Sequence, residues 1–325
     1  MKEREVWIDM LKGYGIFVVT LGHAGVNFWV EKHIYSYHMF LFFFVSGYLY
    51  KQRKIKDVVH KKVSTLLIPF IAWDIISSIV GAILNHLDLR GFVSTLLILK
   101  GNLCFNAPIW FILILFFIEI LYPLVNRYIR DAMLIVIAVM TFVLIGSLKL
   151  PLKMNLIPLA MFSYCSGKLY RSVKILWGGV RKTWLLLLIL ASVSLLFGMF
   201  LNERISYTAG IFGNYFYCLV AAFSGVHFFV LLFESLFVKC TDNNLLAYIG
   251  KNSFSIMTMQ YYFFTIYNIA GKSLCGIGDL WHMENSVKAI IMTTVTIAII
   301  LMVVEVYRKL SKGNNFEIIG KIFGI

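Results

Sequence analysis

A lysine and a histidine eleven positions apart carry the first hint of chemistry in this sequence. The run Asp9-Met10-Leu11-Lys12-Gly13 leads through an apolar stretch to Gly22-His23. On a helix, eleven steps of about 100° leave a net rotation of about 20° and a rise of about 16 Å. Lys12 and His23 therefore share one face, through Ile16 and Val19. Asp9 stands one turn before Lys12, a spacing that allows an ion pair; equally, both could sit at a membrane interface with their charged ends in water. A second imidazole follows in Tyr37-His38-Met39-Phe40. Imidazole titrates near neutrality, so two of them in one apolar bundle could serve as acid and base. The alternative is one functional His and one at the level of the lipid headgroups.

The elements that position these groups must lie in lipid. The 325 residues are 60% hydrophobic and only 14% charged. Soluble domains are about 45–50% apolar and about 25% charged, so polar surface is too scarce here to cover a globule of this size. An ionisable group at mid-helix in a bilayer costs at least about 2.5–3.5 kcal/mol and normally faces a cavity or a partner. Gly13, Gly15 and Gly22 remove side chains and admit another helix or a thin ligand close to the backbone. Runs of about 20 mostly apolar residues mark candidate spans at 8–28, 34–50, 63–86, 108–126, 132–148, 152–170, 183–201, 211–237, 253–270 and 287–307. The expected fold is all-α, a polytopic membrane bundle of about ten transmembrane helices. One integral membrane domain is expected over residues 1–325, with no soluble appendage.

The formal charge of +14 would suggest nucleic acid in a soluble protein. Here it reports orientation. With the N-terminus inside, most basic residues fall on internal segments, above all Lys51, Arg53, Lys54, Lys56, Lys61 and Lys62. Cytoplasmic loops carry such an excess, so both termini are expected in the cytoplasm and no nucleic-acid partner is implied. The first run begins Lys2-Glu3-Arg4-Glu5 and carries Asp9, Lys12 and His23, which reads as a retained span rather than a cleaved signal. Cys104, Cys165, Cys218, Cys240 and Cys275 are far apart, with no C-x-x-C pair, so no metal site is expected.

These residues resemble a known family, the acyltransferase family 3 membrane proteins, which move acyl groups, often acetyl, onto bacterial surface polysaccharides and related molecules. The likeness begins with the basic residue, ten intervening residues and His of the first span, here Lys12 and His23. It continues in Tyr37-His38-Met39-Phe40-Leu41-Phe42-Phe43-Phe44-Val45-Ser46-Gly47-Tyr48, in Lys61-Lys62 before Leu66-Leu67-Ile68-Pro69-Phe70, and in Ile109-Trp110-Phe111. Tyr248-Ile249-Gly250-Lys251-Asn252-Ser253 is similar to the start of a late span, and Asn202, Arg204 and Gly213-Asn214 fall where relatives carry polar external residues. Three positions depart from the pattern. Phe40 replaces a Pro, Thr65 fills a second basic position, and Gln260 stands where many relatives have His.

The resemblance implies a membrane acyltransferase that takes acetyl from acetyl-CoA as donor substrate, with no bound cofactor. The acceptor would be a hydroxyl of a surface or exported glycan or its lipid-linked sugar precursor. The setting would be the bacterial inner membrane, beside polysaccharide-biosynthesis partners. Such a reaction needs a base, an oxyanion stabiliser and a positive mouth for the CoA phosphates. His23 is expected as general base, although an acyl-His intermediate is an alternative. Lys12, with Asp9 beside it, and Lys61 and Lys62 are expected to hold phosphates; for the last two an ordinary positive-inside loop is the competing explanation. His38, Ser46 and Asn252 would orient the acceptor or stabilise the oxyanion. Trp110, Tyr35, Tyr37 and Trp29 could stack on a sugar or form an interfacial belt. The other function class with such features is a polysaccharide or small-molecule transporter, but no inverted repeat is visible.

Overall fold

The computed structural model describes residues 5–85, 89–96, 105–176, 184–240, 244–275, 285–311, 320 and 322–324. The expected third-span end at position 86, the seventh-span start at 183, and Lys2, Arg4 and Cys104 lie outside the described residues. In lipid a peptide group has no water to bond, so an apolar run closes its backbone bonds within itself and becomes a helix. The helices are α1 (Val6–His23), α2 (Phe28–Tyr48), α3 (Ile55–Leu84), α4 (Leu89–Thr95), α5 (Ala107–Val125), α6 (Asp131–Ile145), α7 (Ile157–Leu176), α8 (Trp184–Leu201), α9 (Tyr215–Phe237), α10 (Leu245–Lys251), α11 (Ser253–Cys275) and α12 (Ser286–Ser311). Among the described residues there is no strand, only one antiparallel bridge between Ser206 and Ile211. Helices α3, α5, α8, α9 and α12 are long and apolar enough to cross a membrane. The described residues form an all-helical fold of membrane-spanning character.

Several ends differ from the hydropathy reading, each for a local reason. Helix α1 stops at His23, short of position 28, because the chain turns through Gly25 at φ +78°. His23 thus occupies the last turn of its helix. Helix α2 begins earlier than position 34, since Asn27 caps it by accepting a hydrogen bond from the Trp29 amide at 3.0 Å. Helix α3 begins at Ile55 and passes through a π turn at Val63–Leu67, just ahead of Pro69. Proline offers no N–H to the carbonyl four residues back, so the helix changes pitch there.

Two backbone crossings set the positions of α1 and α2. At Gly13 and Gly250 an added Cβ would run into the Leu246 and Asp9 carbonyl oxygens, so α1 and α10 touch backbone to backbone. Gly47 and Gly167 bring α2 and α7 together in the same way, against Tyr164 and Phe44. At the end where α1 begins, Lys174 of α7 joins Glu234 of α9 at 2.8 Å and Glu5 at 3.5 Å. Burial opposes the Glu5 charge. The hydrogen bonds from Tyr48 and Trp7, with the Lys174 ammonium, nevertheless hold its carboxyl below the usual carboxylate range.

At the opposite end a loop between α8 and α9 is pinned by side chains. Asn202 donates to the Phe212 carbonyl at 3.0 Å and accepts from the Asn214 amide at 2.9 Å, and Lys153 donates to the Thr208 carbonyl at 2.7 Å. Lys153 reaches it from a turn in which Leu152 and Lys153 both take left-handed backbone angles. Asn202 is buried, so Asn202→Ala strands two loop backbone groups. We expect a loss of about 1–3 kcal/mol, read as a lower midpoint of thermal unfolding in detergent. An unchanged midpoint would mean that the other anchors suffice.

Candidate active site

The α1 face predicted from the 11-residue spacing is a real lining. It runs from Lys12 through Ile16 and Val19 to His23 and borders two cavities. The cavity of about 280 Å³ at the His23 end is lined by His23, His38, Tyr35, Trp110, Arg204 and Tyr261, among others. The hydroxyls of Tyr35 and Tyr261 lie 3.0 and 3.2 Å from the same His23 nitrogen, Nδ1. His38 donates from Nδ1 to the Ile34 carbonyl at 2.8 Å. The Tyr35 ring meets both imidazoles edge-on, at 5.9 Å for His23 and 4.9 Å for His38.

The α8–α9 loop closes this cavity. Tyr207 stacks on Trp110 at 5.8 Å and donates to the Tyr35 carbonyl at 2.8 Å. Arg204 bonds Glu31 of α2 at 2.6 Å and lies over the Tyr35 ring at 5.0 Å. The Glu31 hydrogen bond outweighs burial and raises the Arg204 pKa above its ordinary value. The guanidinium therefore stays charged at the mouth of the histidine cavity.

The second cavity, of about 520 Å³, opens at the other end of α1 and is lined by Lys12, Ser46, Lys51, Arg53, Lys61 and Lys62 with several apolar residues. Lys12 pairs with Asp9 at 2.9 Å, as the i, i+3 spacing allows. Lys62 pairs with Glu119 of α5 at 2.8 Å. Lys51, Arg53 and Lys61 are exposed at the mouth. The two cavities share three wall residues, Ile16, Phe42 and Met257. The Phe42 ring packs against Phe111 at 5.9 Å and occupies the space left by the missing side chain of Gly15.

The structure thus groups the expected residues into two sets. His23, His38 and Trp110 line one cavity; Lys12, Lys61, Lys62 and Ser46 line the other, with Asp9 behind Lys12. Ser46 donates to the Phe42 carbonyl at 2.9 Å, remote from the imidazoles. Asn252 lines neither cavity. It donates to the Tyr248 carbonyl and accepts from Arg308 at 2.7 Å, so it ties the end of α10 to α12 because its amide is already committed on both sides. Three contributors were not singled out from the sequence. Glu119 is a carboxylate within the apolar run 108–126 and obeys the rule that flagged Lys12 and His23. Arg204 was visible only as a polar loop residue, and nothing in spacing marks Tyr261.

Comparison with known proteins gives the family. The family model described as "Acyltransferase domain", that of acyltransferase family 3, matches residues 5–305. The chain is 28% identical over 195 residues to nodulation protein NolL of Sinorhizobium fredii (strain NBRC 101917 / NGR234), a match covering 51% of this chain and 49% of that protein. The chain spans about half the length of that curated relative. No solved structure matches it. With a family match over nearly its whole length, and the Lys12 to His23 face lining both cavities, the chain belongs to acyltransferase family 3.

Proposed function

We propose that the protein moves an acyl group, acetyl in the simplest case, from a cytoplasmic acyl-CoA to an acceptor hydroxyl on the far side of the membrane. The observation that carries this reading is the pair of cavities meeting at Ile16, Phe42 and Met257, basic on one side and bearing two imidazoles on the other. Lys51, Arg53 and Lys61 suit CoA phosphates, since ammonium and guanidinium groups make charge-assisted bonds to phosphate. The rise of about 16 Å from Lys12 to His23 suits an extended pantetheine arm. A cavity of about 280 Å³ lies just below the roughly 300–1,000 Å³ of drug-sized sites, which fits one sugar unit and a short acyl group.

The proposed ten-span topology has both termini in the cytoplasm, an orientation that the partition of residues supports. Basic residues around positions 51–62 border one cavity, whereas the 204–208 loop borders the other. The acceptor is a sugar hydroxyl of an exported or lipid-linked glycan, matched by the hydroxyls and aromatic rings of the histidine cavity. The bacterial inner membrane is the setting in which a cytoplasmic donor meets such an acceptor. The test is transfer of label from acetyl-CoA into the glycan and lipid fractions of membranes with and without the protein. Equal labelling would overturn the reading.

The basic mouth gives its own expectation. Arg53→Ala together with Lys61→Ala should raise the KM for acetyl-CoA about 3–10-fold with little change in kcat, because these exposed charges act only on the bound phosphates. The effect should shrink as salt is added. A fall in kcat at constant KM would place the two residues elsewhere in the reaction.

A further inference from the structure

The two imidazoles of the histidine cavity are held in different ways, and the difference bears on where their protons sit. A carbonyl oxygen can only accept, so the bond from His38 to Ile34 fixes the proton of neutral His38 on Nδ1. Its Nε2 then carries the lone pair, in a side chain that lines the cavity. His23 is held by the opposite chemistry. Its Nδ1 faces two phenol hydroxyls, and each phenol has a proton to donate. Both hydroxyls are partly buried within hydrogen-bond reach of that nitrogen, and a phenol donates more readily than it accepts, so an unprotonated Nδ1 is the partner they match. A neutral His23 that accepts at Nδ1 carries its proton on Nε2.

We propose that His38, not His23, is the general base of the transfer, and that His23 is the hydrogen-bond donor to the oxyanion. This division rests on acyl transfer taking place in this cavity. His38 Nε2 removes the proton of the acceptor hydroxyl as its oxygen attacks the thioester carbonyl carbon. The new C–O bond forms, and the carbonyl electron pair moves onto oxygen, where His23 Nε2–H donates to it. Collapse of that intermediate restores the carbonyl and breaks the C–S bond. The proton held on His38 passes to the departing sulfur, which leaves as the CoA thiol, so both histidines return to their starting forms. Tyr35 and Tyr261 are positioning residues. They hold the His23 ring and keep its Nδ1 unprotonated, while the Ile34 carbonyl does the reverse for His38.

The side-chain nitrogen of Gln stands near the place of imidazole Nε2 and donates hydrogen bonds but does not accept a proton at working pH. His23→Gln should therefore keep transfer within about tenfold of wild type, whereas His38→Gln should lose about 10²–10⁴-fold in kcat with the KM for acetyl-CoA unchanged. Tyr35→Phe/Tyr261→Phe should lower kcat and alter its pH profile by freeing His23 to take either tautomer. The second measurement needs no turnover: 15N NMR of histidine-labelled protein in lipid, assigned with the two Gln variants. The expected spectrum has an unprotonated Nδ1 on His23 and an unprotonated Nε2 on His38. A protonated Nδ1 on His23, or a fully active His38→Gln beside an inactive His23→Gln, overturns the assignment. Failure of the wild-type protein to transfer any label tells against acyl transfer itself, and with it the roles given to both histidines.

Discussion

Membranes carrying His23→Ala are expected to lose acetyl transfer by at least about 10²–10³-fold, the cost of removing one donor to a developing oxyanion. At 1.36 kcal/mol per tenfold, this is about 3–4 kcal/mol of transition-state stabilisation. Alanine removes the whole imidazole and leaves the hydroxyls of Tyr35 and Tyr261 facing the space it occupied. The loss should fall on kcat. The basic cavity that would hold the donor lies at the other end of α1, and its cations are untouched. His23 sits in the last turn of α1 and is only partly buried, so the variant should insert and migrate on size exclusion as the wild type does. Label transfer from acetyl-CoA at the wild-type rate by such normally inserted protein would show that the chemistry is elsewhere.

The largest stability effect is expected from Gly250→Val. A side chain at this position would overlap the Asp9 carbonyl oxygen of α1, and a backbone atom cannot turn aside as the end of a flexible side chain can. The helices must separate, which strips packing from Trp7, Met10, Leu11 and Ala247, all of them buried. A cost of about 3 kcal/mol or more is expected, enough to lower the yield of folded protein several-fold. Because Asp9 holds Lys12, the same shift should also disturb the basic cavity. Fluorescence-detected size exclusion and a thermal melt in detergent report the first effect. An unshifted melt would mean that α1 and α10 are not in backbone contact.

The sequence carried those features that depend on neighbours a few residues away. Apolar runs in a chain with 14% charge require helices in lipid, whatever their packing. The 11-residue spacing puts Lys12 and His23 on one helix face, and the i, i+3 spacing allows the Asp9–Lys12 pair, because helix geometry alone sets both. The helix limits at Asn27 and Gly25 were written in those residues as well, but hydropathy averages over them and placed the limits several residues away.

What only the tertiary structure decided is which groups meet. Tyr261 lies 238 positions from His23, Arg204 lies 173 positions from Glu31, and Lys62 finds Glu119 on another helix. No periodicity carries such pairings, since the period of a helix fixes a residue's direction around its own axis and nothing about what faces it. The same limit explains Asn252, whose place in a family-like segment suggested chemistry while its amide in fact secures Arg308. It also explains the histidines. Their spacing and residue type mark both as candidates, but the proposed proton positions rest on a carbonyl on one side and two phenols on the other, and folding alone brings the second phenol there.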